Sequence, residues 1–313
     1  MKLTIVVPVW NRRDWVVQTL DSIAASTCKH FELIVVDNGS SDDSLSVCEQ
    51  WAFMHRDDGF PIRVMSESKQ GASAARNLGL MACRTEYVYF FDSDDILSAE
   101  FVGDVLSVLE KERPDMVYAP VCMEVKGHLK KRAYVYGGGV AEHLITSMMG
   151  THSMVFRTQW LREIGGWNEQ LRVWNDWELG VRALLAKPTI HWMKEKSYHR
   201  IVQHDKSLTG SGFSQSWTMR LDALREVRDE IQHTASLTER ERRRCLRSLY
   251  LRVKICEGLL RRERCAEGAV AFQSMTADIF PHTVKPLQLL GMILCGYTAI
   301  GGRSAWRIAL LSI

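Results

Sequence analysis

The sequence predicts an α/β protein: a mostly parallel sheet flanked by helices on both faces, with a helical C-terminal extension. Three observations carry this. Apolar runs of strand length alternate with helix-period segments through the first 120 residues. Three of those runs end in a polar cluster, Trp10-Asn11, Asp37-Asn38-Gly39-Ser40 and Asp92-Ser93-Asp94-Asp95. Beyond about residue 213 the strand signals stop and long helical segments follow.

Element by element, Leu3 to Val9 is an apolar run closed by Trp10-Asn11, and a helix follows from about Asp14 to Ala25. Phe31 to Val36 reads as a buried strand, the Asp37–Asp42 segment as a turn, and Asp43 to Met54 as a helix. Ile62 to Met65 is a short strand, Ser73 to Cys83 a helix, Tyr87 to Phe91 a strand, Ala99 to Glu112 a helix and Asp115 to Pro120 a strand. Residues 121–140 read as a polar excursion broken at Gly137-Gly138-Gly139. Residues 144–157 and 160–164 return to ordered structure, and 171–186 look helical, with Asp176 and Glu178 near the start. Residues 217–270 read as two long helices divided near Ala235 to Thr238. In such sheets ligands bind beyond the carboxyl ends of the strands, so the three polar clusters should converge in one cleft.

Composition narrows the function. The chain of 313 residues is 46% hydrophobic and 25% charged, with a net charge of +3, and nothing in it calls for a nucleic-acid partner. Arginines concentrate between residues 239 and 264; they form either a solvated helix face laced with salt bridges or a surface for an anionic membrane or acceptor. The eight cysteines form no CxxC pair and no zinc-spaced cluster, so a reduced, cytoplasmic protein is expected. No segment reaches the about 20 continuous apolar residues of a spanning helix. The most apolar stretch, residues 287–313, either packs on the domain or lies peripherally at the inner face of a membrane.

The chemistry centres on Asp92-Ser93-Asp94-Asp95. Three carboxylates at the end of a buried strand repel one another and resist desolvation. A hard divalent cation, Mn2+ or Mg2+, would relieve that and could hold phosphate oxygens as well. The competing reading is a solvated turn in which Asp94 or Asp95 caps the next helix. Asp37 with Gly39 and Ser40 suits a nucleoside: the carboxylate can accept from a base or ribose donor, and glycine lets backbone approach closely. No G-x-G-x-x-G or Walker spacing is present, which argues against a nicotinamide enzyme or a P-loop NTPase. Arg76, one turn into its helix, could reach a phosphate or base edge, or pair with a carboxylate of the cleft.

Five blocks in order resemble the family 2 glycosyltransferases of GT-A fold: Val6-Val7-Pro8-Val9-Trp10-Asn11; Val35-Val36-Asp37-Asn38-Gly39-Ser40-Ser41-Asp42; Gly71-Ala72-Ser73-Ala74-Ala75-Arg76-Asn77-Leu78-Gly79; Phe91-Asp92-Ser93-Asp94-Asp95; and Gly165-Gly166-Trp167-Asn168 followed by Asn175-Asp176-Trp177-Glu178. The resemblance covers about residues 1–212. It implies a nucleotide-binding half at about 1–120, an acceptor-side half at about 121–212, and a helical extension over 213–313. It further implies that Pro8, Val9, Trp10 and Asn11 line the nucleoside pocket, with Asp37 and Gly39 at the base, most often uracil. Arg76, Asp92 and Ser93 would meet the nucleotide, Asp92 on its ribose side. Asp94 would hold the metal, and through it the diphosphate. Asp176 would be the base that deprotonates the acceptor in an inverting, hexosyltransferase-type transfer from a UDP-sugar to a glycan or lipid-linked acceptor in polysaccharide synthesis. A cap at the following helix is the competing role for Asp176, and Glu178 is the rival base. Its flanking tryptophans, Trp174 and Trp177, could stack on sugar rings. His204 falls in the segment where a family histidine approaches the metal, with His199 as its rival. Two other functions remain open: a sugar nucleotidyltransferase, against which stands the lack of glycine in Pro8–Arg13, and a non-catalytic nucleotide-sugar binder, against which stands the intact Asp92, Asp94 and Asp176 set.

Overall fold

The computed structural model describes residues 1–125, 128–131, 135–194, 197–202, 212–280 and 285–313. The chain divides into two compact units, each considered by itself. One comprises Met1–Tyr134, Met149–Arg172 and Pro188–His204; the other comprises Val135–Met148, Val173–Lys187 and Asp205–Ile313. The second unit therefore takes in two short segments that precede residue 212.

The first unit is built on a seven-stranded sheet. Its strands in chain order are β1 (Leu3–Val9), β2 (Phe31–Asp37), β3 (Ile62–Ser66), β4 (Tyr87–Phe90), β6 (Met116–Tyr118), β9 (Met154–Arg157) and β10 (Ile190–Trp192). Their spatial order is β10-β6-β9-β4-β1-β2-β3. All neighbours run parallel except β9, which is antiparallel to both β4 and β6. Helices α1 (Val16–Ala24), α2 (Ser44–Met54), α3 (Ala72–Ala82), α4 (Phe101–Glu112) and α6 (Thr158–Glu163) complete the alternation. Every residue of β1 is buried, as expected of a central strand covered on both faces.

Two residues of the motif blocks serve this packing. Pro8 lacks an N–H, yet it sits in the middle strand. Strand residues alternate in the direction of their ladder bonds: the Val9 carbonyl turns to β2, accepting from Asn38 N–H, and the Val6 carbonyl turns to the β4 side, accepting from Phe91 N–H. Pro8 thus faces the β4 side, beyond the last β4 pair at Val6, and costs no ladder bond. Gly79 of α3 lies against β1: a Cβ there would stand 2.3 Å from Val6 Cγ1.

A second, four-stranded sheet of order β5-β11-β7-β8 begins directly after the aspartate turn, with β5 (Ile96–Leu97), β7 (Val121–Val125), β8 (His128–Lys131) and β11 (His199–Val202). The expected polar excursion after residue 120 is in fact this β7–β8 pair. Its strands are short and β8 carries exposed polar residues, so the period-2 signal of a half-buried strand is missing. Strand β11 lies between β5 and β7, which sets His199 opposite Leu97, just past the aspartate turn.

The second unit is helical: α5 (Val140–Thr146), α7 (Asn175–Leu185), α8 (Trp217–His233), α9 (Glu239–Arg262), α10 (Ala266–Ile279), α11 (Lys285–Ala299) and α12 (Ala305–Leu310). Thr238 caps α9 in a reciprocal box with Glu241. The expected pair of long helices becomes three, because Arg264 adopts a left-handed φ of 58° and ends α9 before residue 270. Much of the arginine-rich face of α9 is spent inside the unit. Arg244 pairs with Glu142, Arg252 donates to the Ile145 carbonyl, and Arg242 donates to carbonyls at the end of α8. Among the described residues no helix is long and apolar enough to cross a membrane.

Candidate active site

In the first unit the loops after β1 and β2 are stitched into one rim. Asn11, at φ 52°, accepts from Ser41 N–H at 2.8 Å, and its own N–H donates to Ser40 Oγ at 3.0 Å. Trp10 projects outward at 53% exposure, whereas Pro8 and Val9 are buried in the strand, so only their backbone borders the rim. Gly39 holds φ 67° beside open space; its lack of a side chain serves the turn, not a close contact.

Asp37 ends β2 at 3% exposure. Its Oδ2 accepts from Ser40 N–H at 3.1 Å, while Oδ1 is buried with no hydrogen-bond partner among the described residues. A buried carboxylate oxygen left unmatched is costly, and such an atom points to a ligand that donates to it. Asn38 beside it clamps the next loop, accepting from Gly71 N–H at 2.7 Å and donating to the Lys69 carbonyl at 2.7 Å.

After β4 the three aspartates part company. Asp92 Oδ1 accepts from Arg76 Nη2 at 2.8 Å, and Asp94 Oδ2 from Arg12 Nε at 3.2 Å. Ser93 between them is buried. Asp95 turns inward to a buried network and caps no helix. Its Oδ1 accepts from Val202 N–H at 2.9 Å, and its Oδ2 lies 2.7 Å from His199 Nε2. Tyr89 Oη lies 2.9 Å from both the His152 carbonyl oxygen and His199 Nδ1. A carbonyl can only accept, so the single Tyr89 proton goes to His152, and His199 Nδ1 donates to Tyr89. One further proton is shared between His199 Nε2 and Asp95. Burial raises the proton affinity of Asp95 and the facing His199 opposes that rise. His199 thus braces the aspartate turn from behind.

Arg76 is buried at 5% exposure, with its guanidinium 4.4 Å above the Trp167 ring; Nε and Nη1 have no partner among the described residues. The glycine pair Gly165-Gly166, both at positive φ, bends the chain so that Asn77 brackets Trp167. Asn77 Oδ1 accepts from Trp167 N–H and Nδ2 donates to the Trp167 carbonyl, both at 2.9 Å. The Gly71–Gly79 and Gly165–Asn168 blocks are thereby one device, an indole platform beneath an arginine.

Asp176 belongs to the second unit. It is the second residue of α7, after Trp174, which occupies the N-cap position at φ 58° with no side-chain cap bond. Asp176 Oδ1 accepts from the adjacent Trp177 N–H at 2.8 Å and does not cap the helix. Glu178 is fully buried and bidentate to Arg182, with Oε1 2.5 Å from Nε and Oε2 3.0 Å from Nη2. A carboxylate that is fully buried and held on both oxygens by one guanidinium is poorly placed to meet an acceptor hydroxyl. Trp177 is also buried, and half-exposed Trp174 is packed against Trp177 and Phe213 with the Arg252 guanidinium 4.7 Å over its ring, so the expected stacking of either indole on a sugar finds little support. His204 lies outside the described residues.

A divalent cation fits the donor set of the aspartate turn. Asp92 and Asp94 offer hard carboxylate oxygens, each paired with one guanidinium, and retain 32% and 17% side-chain exposure. Asp95, His152 and His199 also bring ligand-type atoms within 4.8 Å of one another; of these, Asp95 and His199 bond each other, and Val202 N–H and Tyr89 take up their remaining ligand atoms.

The family model for glycosyl transferase family 2 matches residues 4–162. The chain belongs to that family. Within it, the chain is 33% identical over 116 residues to the glycosyltransferase GlyG of Streptococcus pneumoniae serotype 4, covering 37% of each chain. It is 28% identical over 145 residues to the poly(ribitol-phosphate) beta-N-acetylglucosaminyltransferase TarP of Staphylococcus aureus, covering 45% of this chain and 43% of TarP. The matches thus span well under half the length of these relatives. The structure of S. aureus TarS 1–349 with UDP-GlcNAc superposes with a TM-score of 0.74 at 18% identity, covering 100% of this chain and 91% of that one. A mannosyltransferase of Pyrobaculum calidifontis with GDP-Man and Mn2+ superposes at 0.60 and 14% identity, covering 99% of this chain and 87% of that one. The fold of this family 2 chain is GT-A.

Sequence reasoning missed the Trp167 platform, the Arg12 partner of Asp94 and the Tyr89–His199–Asp95 brace. The first was legible in part, since Gly165-Gly166 before a tryptophan marks a forced bend. The other two join residues 82 and 104 or more positions apart, and no local pattern signals them.

Proposed function

We propose that this chain is an inverting glycosyltransferase that moves a sugar from a UDP-sugar to a hydroxyl of a glycan or lipid-linked acceptor. The observation that carries the reading is the buried, unmatched Oδ1 of Asp37 at the end of β2, beside a rim of loop backbone. It calls for an N–H donor, and the imide of uracil supplies one. Trp10, Asn11 and Gly39 would border the nucleoside, and Arg76, steadied on Trp167, would bind the nucleotide together with Asp92 and Ser93. Asp94, with Asp92 beside it, would hold Mn2+ or Mg2+. Bound there, the cation would offset the charge that develops on the departing diphosphate. Asp176 would take the acceptor proton. That role rests on its place in the family motif and on the engagement of Glu178 with Arg182.

Calorimetry tests the reading directly. UDP should bind with Mn2+ present and weaken sharply in excess chelator, and Asp94→Ala should reproduce the chelator effect. GDP should compete poorly. Equal UDP affinity with and without metal would sink the metal role, and tighter binding of GDP would sink the assignment of the base.

A further inference from the structure

Helix α11 is amphipathic in reverse. Toward α9 it presents Leu287, Gly291, Leu294, Cys295 and Thr298, several of them small. The contact is tight: a Cβ at Gly291 would stand 2.8 Å from the Tyr250 ring, and one at Gly258 of α9 would stand 2.5 Å from the Cys295 carbonyl oxygen. Away from α9 it presents Leu289, Met292 and Ile293, at 56%, 60% and 53% exposure, and Ile300, at 86%, follows its last residue. The 289, 292/293, 296, 300 spacing places them on one stripe along the helix. Burial normally takes the larger apolar side chains and leaves the small ones out. The charge of the segment that carries the stripe is as one-sided along the sequence. Asp278 is the last acidic residue; residues 279–313 contain no Asp or Glu, while Lys285 begins α11 and exposed Arg303 and Arg307 follow it.

We propose that this stripe docks the protein on an anionic phospholipid bilayer, with α11 lying in the plane of the interface. The apolar side chains would enter the acyl boundary, and Lys285, Arg303 and Arg307 would meet lipid phosphates. A 15-residue helix is too short to span a bilayer but suits this orientation. A second copy of the chain fits less well, because pairing the stripe with itself would bring the same cations together with no acidic residue in the segment to oppose them. The proposal stands apart from the transfer chemistry and does not depend on it.

Vesicle co-sedimentation of the full chain tests it. The protein should pellet with phosphatidylcholine vesicles that contain phosphatidylglycerol and stay in solution with phosphatidylcholine alone, and salt should weaken the binding. Met292→Glu with Ile293→Glu should abolish sedimentation. Arg303→Gln with Arg307→Gln, a milder surface change, should lower the partition coefficient roughly tenfold or more. No sedimentation of the wild type, or unchanged binding in the arginine variant, would overturn the proposal. So would light scattering that shows a dimer which Met292→Glu with Ile293→Glu converts to monomer, since the stripe would then belong to a second copy.

Discussion

Two buried glutamates of the helical unit and one buried aspartate of the sheet unit are treated in opposite ways. In the helical unit, Glu178 takes both nitrogens of one arginine edge, and Glu257 takes Lys254 Nζ at 2.5 Å on one oxygen and Arg261 Nε at 2.9 Å on the other. In the sheet unit, Asp37 leaves one buried oxygen unmatched, and Arg76 leaves two buried nitrogens unmatched. A buried ion pair whose members satisfy each other holds a scaffold together. A buried polar atom left unmatched carries a standing cost in the folded protein, which a ligand removes on binding. The contrast is between carboxylates that the fold itself satisfies and an aspartate whose proposed role is to meet a ligand; Glu230 of the helical unit, which also leaves one buried oxygen unmatched among the described residues, shows that an unmatched atom is not by itself a ligand site.

The largest expected effect tests that separation within α7. Asp176→Asn should cut turnover by about 10²–10⁴-fold while UDP binding and melting temperature stay near wild type, as for loss of a general base. Glu178→Gln should do the reverse, lowering stability by about 3–5 kcal/mol through the uncompensated Arg182 and sparing turnover of the folded protein. Normal transfer by Asp176→Asn with none from folded Glu178→Gln would exchange their roles.

Next comes Asp37→Ala. UDP affinity should fall by about 1.5–3 kcal/mol, the worth of a hydrogen bond to a charged group, with little loss of melting temperature, because the side chain is not fully satisfied in the fold. A large fall in melting temperature with unchanged UDP affinity would place Asp37 among the scaffold carboxylates and break the comparison.

His199→Gln sharpens it, since His199 is a scaffold residue that braces a candidate metal-binding turn. The Mn2+ concentration for half-maximal activity should rise about tenfold or more while kcat at saturating metal is largely kept. A purely structural role would lower the melting temperature and leave the metal titration unmoved.

The smallest effect concerns Glu230. Burial, then the nearby Glu178, raises its acid from 4.5 to about 7, and Arg182 opposes them. A folded value above the unfolded one means that the protonated acid favours folding. That contribution is fully present below pH 4.5 and is lost as pH rises through about 7. Glu230→Gln keeps the uncharged form at every pH. Its melting temperature should match wild type near pH 5 and exceed it by a few degrees near pH 8; parallel pH profiles would refute the assignment.

The sequence by itself determined the α/β alternation, the order of motif blocks and the placing of Trp10-Asn11, Asp37 and Asp92–Asp95 at strand ends. Each of these is written in residues close along the chain, where hydrophobic period and turn chemistry act directly. It left three matters open that only tertiary structure decided. Asp92, Asp94 and Asp95 are alike as residues, yet Arg76 and Arg12 hold the first two at the rim while His199 and the Val202 amide draw the third inside. Asp176 and Glu178 sit two apart on one helix, and Arg182 engages only the second. Residues 287–313 gave no orientation until the packing of α11 on α9 fixed which side faces out. In all three cases the deciding partner comes from a distant part of the chain or from the turn of a helix, and charge pairing and close packing act through space, whatever the separation in sequence.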